Sequence, residues 1–267
     1  MTDEKKAQEG ELRWLIGYLC DERGLELDRA AIASEGAEEL FQTFRALVNT
    51  REPVHATDEF YARQDALLRG LITEKGITRA TGLPRTPNDR RISLWRGDIT
   101  TLAADAIVNA ANDQMLGCWV PGHTCIDNAI HTFAGVQLRE ECARIMGAQG
   151  HAEPTGKAKV TGAYNLPARR VIHTVGPIAQ GRPTPQHEAQ LAWCYTSCLD
   201  AAVGAGCCSI AFCCISTGVF GFPQDKAARI AVRTVRTWLD AHPSDAPHVI
   251  FNVFGAKDEE IYHGILG

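Results

Sequence analysis

Three potential metal ligands lie close together in the segment GCWVPGHTCIDNAIH. They are Cys118, His123 and Cys125, and Pro121 and Gly122 between them allow the chain to fold back on itself. Thiolate and imidazole ligands suit zinc, and three protein ligands leave one coordination position open. This spacing predicts a zinc site, and the alternative is two packed thiols with a surface histidine.

A structural zinc finger usually has four ligands in two paired clusters, and no second pair is evident in this sequence. His131 is a candidate fourth ligand, although its position along a helical pattern equally suits capping or packing. The other cysteines are predicted to be packed thiols, because free cysteine behaves as a small apolar residue. They are Cys142, Cys194 and Cys198 on helical patterns, and Cys207, Cys208, Cys213 and Cys214 around the apolar segment SIAF.

The segment STGVFGFP is a second place where chemistry could occur. Gly218 and Gly221 permit backbone conformations that other residues avoid. Exposed N–H groups in such a loop, together with the start of the next helix, could hold a diphosphate. A tight turn without a ligand is the alternative, since the segment is neither a Walker loop nor a GxGxxG motif.

The elements that position these segments fall into two parts. Before about position 80 the apolar residues recur at helical spacing, with Gly24 as a stop and Thr57 as a cap. Beyond a turn-rich segment, short apolar strands alternate with helices, one of which runs from Ile126 to Leu138. This alternation predicts a largely parallel sheet with helices on both faces, and ligands bind such sheets at the carboxyl ends of the strands.

Composition excludes several classes of function. The 267 residues carry a formal net charge of -5, and no basic stripe with interleaved aromatic residues is present. Nucleic acid is therefore not an expected partner. The first residues contain no apolar signal core, and no apolar run is long enough to span a bilayer. We expect a cytoplasmic protein without a membrane partner.

Five segments, taken in order, resemble those of the macrodomain family across roughly residues 90 to 255. They are LWRGDITTLAADAIVNAANDQMLG, IDNAIHTFAG, GKAKVTGAYNLPARRVIHTVGP, ISTGVFGFP and NVFG. Most hydrolytic macrodomains have a Gly-rich run where this chain has CWVPGHTC. That departure resembles the zinc-dependent branch found near bacterial sirtuin-type ADP-ribosyltransferases. The resemblance implies a three-layer α/β/α macrodomain at 81–267 with a mixed, largely parallel sheet, preceded by a helical extension at 1–80.

The resemblance also assigns roles to residues in the binding of ADP-ribose. Asp98 would accept a hydrogen bond from the adenine amino group, with Ile99 beside the ring, and Phe254 could stack near the adenosine. Asn112 would contact the distal ribose and, with Asp127, is the predicted catalytic pair. The helix start near the distal ribose or diphosphate comprises Cys125, Ile126, Asp127 and Asn128. The phosphate loop comprises Ser216, Thr217, Gly218, Val219, Phe220 and Gly221.

Each of these residues also has an ordinary structural role that it could fill. Asp98 and Asn112 could simply shape turns, Asp127 could cap a helix, and Phe254 could lie in the core. Asn109 and Asn165 are predicted to be structural polar groups. It is the ordered occurrence of all the motifs that favours the binding roles.

The function that the resemblance implies is a zinc-dependent protein-ADP-ribose hydrolase. It would remove mono-ADP-ribose from modified side chains, most simply from Asp or Glu esters, and release ADP-ribose. The metal could polarise a substrate oxygen or lower the pKa of a bound water, and Asp127 could orient that water or take its proton. Two alternatives stay open, a non-catalytic ADP-ribose reader and an O-acetyl-ADP-ribose deacetylase. A sirtuin-type transferase in the same pathway is an implied partner.

Overall fold

The computed structural model describes residues 3–267, and all statements below concern that range. Its helices are α1 Asp3–Arg23, α2 Arg29–Ser34, α3 Ala37–Asn49, α4 Asp58–Lys75, α5 Ile126–Ala134, α6 Val136–Gln149, α7 Pro185–Gly204, α8 Gln224–Ala241 and α9 Ala256–Leu266. Its strands are β1 Thr78–Arg79, β2 Ile92–Arg96, β3 Leu102–Ala103, β4 Ala106–Ala111, β5 Ala158–Gly162, β6 Arg170–Val175, β7 Ser209–Phe212 and β8 His248–Val253.

Six of these strands form one sheet in the order β2-β8-β7-β4-β6-β5. Only β5 runs antiparallel to its neighbour, and the other pairs are parallel. The central strands are almost continuous apolar runs, as expected where a parallel sheet is covered on both faces. The predicted mixed, largely parallel sheet is therefore confirmed.

Helices form layers on the two sides of this sheet. α8 packs against both α7 and α9, α5 packs on β4, and α6 packs on β5. The predicted helical extension is also present as α1 to α4, with α3 and α4 lying against α5. Inside the extension, Arg51 is almost fully buried and forms ion pairs with Glu22 at 2.7 Å and with Glu140 of α6 at 3.4 Å. The extension and the macrodomain therefore share packed surface.

Several helix ends follow the predicted local chemistry. α1 ends before Gly24, which adopts a φ of 63°. The Thr57 hydroxyl accepts a hydrogen bond from the Phe60 N–H and caps α4, and Thr184 caps α7 with Pro185 at its first position. Such caps satisfy N–H groups that have no partner inside the helix.

The single helix predicted from Ile126 to Leu138 is wrong. α5 ends at Ala134 and α6 begins at Val136, with Gly135 between them at a φ of 97°. A Cβ at Gly135 would lie 2.6 Å from the side-chain ends of Gln64 and Gln137, which would have to shift, and the positive φ itself favours glycine. The apolar spacing continues through the break because both helices cover the same core, and spacing alone did not reveal the change of direction.

The prediction that the cysteines are packed is confirmed for most of them. Cys142, Cys194, Cys198, Cys207 and Cys213 are buried and Cys214 is half-buried. Cys208 corrects that prediction because its side chain is exposed just before β7 begins. No helix in the described chain is both long and apolar enough to cross a bilayer.

Candidate functional site

The candidate site lies where three adjacent parallel strands end. β4, β7 and β8 are neighbours in the sheet, so the loops that follow them meet at one edge. The loop after β4 carries the potential metal ligands, the loop after β7 is STGVFGFP, and Phe254 follows β8. The topology thus brings together three segments that are far apart in sequence, as expected for a ligand site in a parallel α/β sheet.

Residues 118–125, called the metal loop below, fold back through a tight turn. The His123 N–H donates to the Val120 carbonyl at 3.2 Å, and Gly122 adopts a φ of 63°. A turn with proline second and a positive-φ glycine third is the type II arrangement that the sequence PG favours. The turn brings one donor atom each from Cys118, His123 and Cys125 within 4.8 Å of one another.

The donors in this loop fit a zinc ion. Their chemistry is sulfur, nitrogen and sulfur, all three side chains are half-buried, and the Cys118 Sγ lies 3.7 Å from the His123 Nδ1. The pKa of the Cys125 thiol is raised to about 12, chiefly by burial and in smaller part by the neighbouring Cys118 and Asp127. A bound cation would favour the thiolate form, since a coordinating thiol is deprotonated.

His131 does not belong to this group. It lies instead in a second group with Cys142 and His173, whose donor atoms are also within 4.8 Å of one another but whose side chains are all buried. His173 already has polar neighbours, with Asn109 at 3.1 Å from its Nδ1 and Thr161 at 2.9 Å from its Nε2. Burial lowers the pKa of both imidazoles, that of His173 to about 3, so both are neutral.

Asp127 is a buried carboxyl group directly beside the metal loop. Its Oδ1 accepts a hydrogen bond from the Asn109 amide at 2.8 Å, and its Oδ2 lies 3.4 Å from the Asn112 Nδ2. Burial raises the pKa of Asp127 to about 6, although the Asn109 hydrogen bond opposes that rise. Asn109 is predicted from the sequence to be a structural polar group only, because nothing in its motif reveals that the fold places it against Asp127.

Asn112 holds the turn between β4 and the metal loop. Its Oδ1 accepts hydrogen bonds from the N–H groups of Gln114 and Met115, and its Nδ2 donates to the Gly117 carbonyl at 3.0 Å. The side chain is half-buried and lies next to Asp127. The structure therefore brings the two predicted catalytic residues next to each other.

Asn128, expected near the nucleotide, faces the interior. Its side chain is fully buried, its Oδ1 accepts from Arg45 at 2.8 Å, and its Nδ2 donates to Asn49 at 2.9 Å. The amide is thus occupied by contacts with α3 of the extension. Its neighbours Cys125 and Ile126 are half-buried at the helix start, where Cys125 caps α5 by accepting from the Asn128 N–H.

Asp98 lies in the turn after β2 with its carboxylate partly exposed. Its Oδ1 accepts from the N–H and hydroxyl of Thr100, and its Oδ2 accepts from the Lys75 ammonium at 3.0 Å. Burial acts to raise the pKa of Asp98, but the Thr100 hydrogen bonds and the charge of Lys75 outweigh it and lower that pKa. Asp98 is therefore a carboxylate that can accept further hydrogen bonds, whereas Ile99 beside it is buried.

The loop after β7 presents unused backbone donors. Within the described chain, the N–H groups of Gly218, Val219 and Phe220 donate to no protein acceptor, whereas the Gly221 and Phe222 N–H groups close the loop onto Gly218 and Ser216. Consecutive free N–H groups form concavities that bind anions. α8 begins directly after this loop without a side-chain cap, which leaves its N-terminal donors open as well.

Backbone conformation in this loop differs in detail from expectation. Of the two glycines, Gly221 adopts a positive φ, at 65°, and Gly218 does not. A Cβ at Gly221 would lie 3.2 Å from backbone atoms of Gln180 and Gly181. Ser216 adopts a φ of 66° although it has a side chain, and its buried hydroxyl has no protein partner. Residues held in this region of φ concentrate at ligand sites.

Two apolar side chains remain uncovered at the same sheet edge. Phe254 is 83% exposed and Val219 is 78% exposed, so neither belongs to the core. They follow the adjacent strands β8 and β7, where a bound aromatic or sugar ring could cover them. Exposed apolar side chains next to free anion-binding donors suit a ligand that has both rings and phosphates.

Comparison with known proteins shows which family this chain is related to. The family model of the Macro domain matches residues 108–231. A protein-ADP-ribose hydrolase of Treponema medium is 54% identical over 226 residues, which cover 83% of this chain and 85% of that protein. A protein-ADP-ribose hydrolase of Staphylococcus aureus strain MRSA252 is 46% identical over 258 residues, covering 96% of this chain and 95% of that protein.

A third relative is a probable bifunctional ADP-ribose hydrolase/ADP-ribosyltransferase of Fusarium oxysporum f. sp. cubense. It is 52% identical over 186 residues, which cover 66% of this chain but 31% of that longer protein.

Solved structures agree with this relationship. The Trypanosoma brucei macrodomain in complex with ADP-ribose superposes with a TM-score of 0.65 at 32% identity, covering 84% of this chain and 95% of that one. The Oceanobacillus iheyensis macrodomain with ADP gives a TM-score of 0.59 at 37% identity, covering 65% of this chain and 88% of that one. The chain therefore belongs to the macrodomain family and, like its relatives of similar length, is a hydrolase.

Proposed function

We propose that this protein is a zinc-dependent protein-ADP-ribose hydrolase that removes mono-ADP-ribose from modified side chains. The observation that carries the proposal is the meeting of two features at one sheet edge. One is the group of Cys118, His123 and Cys125 donors, and the other is the row of free N–H groups after β7. A pure ADP-ribose reader needs the second feature but has no use for the first.

The nucleotide end of the substrate is bound by groups that the fold already presents. The Asp98 carboxylate accepts the adenine amino hydrogen, and the exposed Phe254 ring covers part of the adenosine. The free N–H groups of residues 218–220 hold the diphosphate. These contacts fix the distal ribose beside the metal loop, which raises the rate by orienting the bond that is cleaved.

The residues at the distal end divide the work of the reaction. Cys118, His123 and Cys125 would hold zinc, which when bound supplies a Lewis acid for an oxygen of the substrate or of a water. Asn112 holds the turn that leads into the loop, and this places it beside Asp127 for its proposed contact with the distal ribose. Asp127 accepts a hydrogen bond from Asn109 and lies beside the Asn112 amide. In this proposal Asp127 is the carboxyl group that orients water.

The preferred linkage in this proposal is an ester of ADP-ribose with Asp or Glu. The carboxylate of Asp or Glu is a better leaving group than an alcohol or a guanidine. An ester linkage therefore suits a site that has no exposed general acid. Asp127 is 5% exposed, so its carboxyl group is not available at the surface of the site to protonate a basic leaving group. The name of the Fusarium relative combines an ADP-ribose hydrolase with an ADP-ribosyltransferase. This supports a transferase as the pathway partner, and we propose one of the sirtuin type.

Release assays on defined linkages test the proposal. Zinc-loaded protein is incubated separately with proteins carrying Asp/Glu-linked, Ser-linked and Arg-linked mono-ADP-ribose, and free ADP-ribose is measured. We expect release from the Asp/Glu-linked protein alone. Binding without release from any linkage would establish a reader instead, and cleavage of O-acetyl-ADP-ribose alone would establish a deacetylase.

A further inference from the structure

The metal loop is held in place by the N-terminal extension, across a long separation in sequence. Arg45 of α3 donates from its Nη2 to the His123 carbonyl at 2.7 Å, so the main chain of a proposed metal ligand is fixed directly. The same guanidinium donates from its Nε and Nη2 to the Asn128 Oδ1, at 3.0 and 2.8 Å. One side chain of the extension therefore binds both the loop and the first turn of α5.

Asn49, one turn further along α3, holds the other part of the loop. Its Oδ1 accepts from the Gly122 N–H at 3.0 Å and from the Asn128 Nδ2 at 2.9 Å. Its Nδ2 donates to the Thr132 hydroxyl at 3.0 Å, and the whole side chain is buried. Gly122 is the positive-φ residue of the turn, so Asn49 stabilises the conformation that brings the ligands together.

A third contact reaches the loop from α6. The Arg139 guanidinium lies 4.3 Å from the centre of the Trp119 ring, and its Nη1 donates to the carbonyls of Val48 and Arg51 at the end of α3. Arg139 therefore joins the loop to the same helix that Arg45 and Asn49 occupy. Trp119 is partly exposed, so the contact with Arg139 helps to fix the position of its ring.

From this geometry we infer that α3 is part of the active site, with Arg45 and Asn49 as positioning residues for the metal loop. Any effect of these contacts on catalysis rests on the proposed function. The ordering of residues 118–125 by α3 does not depend on that function. Contacts outside the ligands orient them, and their loss typically lowers metal affinity or activity roughly 10- to 100-fold. The extension would thus preform a site that a loop of eight residues could not hold by itself.

The test compares three single variants with the wild type. Arg45→Met removes the hydrogen bonds of Arg45 to the His123 carbonyl and to Asn128. Arg45→Lys keeps the charge without the planar pair of donors, and Asn49→Ala removes the contact with Gly122. Arg69→Met is the matched control, because Arg69 is an exposed arginine of α4 that pairs only with Asp65. Thermal unfolding of each protein shows which variants are folded.

Three measurements follow on each folded protein. Hydrogen exchange of residues 118–125 is measured without metal, zinc release to a chelator is timed, and the absorption of the cobalt(II)-loaded protein reports ligand geometry. We expect faster exchange and zinc release at least about 10-fold faster in Arg45→Met and Asn49→Ala, with Arg45→Lys between them and the control. The cobalt spectrum should change in the same order.

The outcomes separate this inference from the proposed function. Exchange and zinc release equal to those of Arg69→Met, in folded Arg45→Met and Asn49→Ala, would overturn the positioning role. If Arg45→Met does not fold, Arg45→Lys decides by the same comparison. A wild type that binds no zinc would remove the metal from the proposed function, yet the exchange measurement in metal-free protein would still decide whether α3 orders the loop.

Discussion

At the scale of single residues, the site separates groups that bind from groups that act on the scissile bond. Asp98 belongs to the first kind, because its carboxylate is kept charged by Thr100 and Lys75 and is partly open to a ligand. In the proposed function Cys118, His123 and Cys125 belong to the second. Substitutions in the two sets should therefore have different effects on affinity and on rate.

Replacing Asp98 should weaken nucleotide binding. Asp98→Ala removes a charged acceptor for the adenine amino group, and loss of such a hydrogen bond costs about 1.5–3 kcal/mol, or roughly 10- to 150-fold in affinity. Titration calorimetry with free ADP-ribose measures the change. Asp240→Ala is the control, because Asp240 pairs with Arg91 on the surface of α8. Equal affinity of Asp98→Ala and the control would make Asp98 a turn residue only.

Metal content should depend on one of the two groups of potential ligands. We expect one zinc per chain in the wild type and in Cys142→Ala, and little or none in Cys118→Ser, by elemental analysis of reduced protein purified without chelators. Cys142 is the matched control because it lies in the buried group with His131 and His173. Two zinc ions per chain, or loss of zinc only in Cys142→Ala, would contradict the assignment.

Replacing His123 should separate catalysis from binding. His123→Ala removes one proposed ligand, while Asp98 and residues 218–220 keep their contacts with adenine and diphosphate. Hydrolysis should fall by orders of magnitude and ADP-ribose affinity only a little, because the metal stabilises charge that develops in the reaction. The hydrolysis rate and the ADP-ribose affinity are measured on the same preparation, and its melting temperature shows whether the variant is folded. Wild-type turnover in a folded, metal-free variant would rule out a catalytic metal.

At the scale of elements, the loop after β7 depends on one glycine. Gly221→Ala would place a Cβ 3.2 Å from backbone atoms of Gln180 and Gly181, at a φ of 65°. A side chain in this conformation costs about 1–2 kcal/mol. We expect that loss of stability in denaturant unfolding, with weaker ADP-ribose binding because the N–H groups of residues 218–220 move.

Gly147→Ala is the matched control for this substitution. Gly147 lies inside α6, and a Cβ there would meet nothing within 4 Å. Alanine is favoured over glycine in a helix by about 1 kcal/mol, so stability should rise slightly and binding should stay unchanged. A Gly221→Ala protein as stable and as tightly binding as this control would show that the loop does not need the positive φ.

What the sequence predicted at this scale was local, and what it missed depends on tertiary contacts. The cap at Thr57, the stop at Gly24 and the turn at Gly122 each follow from the chemistry of a few adjacent residues. The helix break at Gly135 was missed, because apolar spacing records which face is covered and not a change of direction.

The role of the extension in the site could not be predicted for the same reason. Arg45 and Asn49 lie about 80 residues before their partners, and in sequence they are ordinary polar residues of an amphipathic helix. Asn109 reaches Asp127 only because the start of α5 lies against β4. The resemblance covered the motifs of the nucleotide site but said nothing about these supporting contacts.

At the scale of the whole molecule, the helical extension, α1 to α4, and the macrodomain share one continuous apolar core. Buried residues of α1, α3 and α4 belong to the same cluster as those of the sheet and of α7 and α8. The extension also supplies Lys75 to Asp98 and Arg45 to the metal loop, so it contacts both ends of the proposed site. We therefore predict that the two parts unfold together.

A substitution inside the extension tests this prediction in the full chain. Phe44 of α3 is fully buried, and Phe44→Ala should cost about 3–5 kcal/mol because it leaves a cavity. If the protein is one cooperative unit, calorimetry should show a single transition that moves to lower temperature as a whole. Saturating ADP-ribose should raise that same transition, because a ligand that binds only the folded state stabilises everything that folds with its site. Phe212→Ala in β7, equally buried in the sheet, is the matched control and should shift the transition in the same way. Two transitions, of which Phe44→Ala moves one and ADP-ribose only the other, would show that the extension folds independently and that its contacts with the metal loop are too weak to couple them.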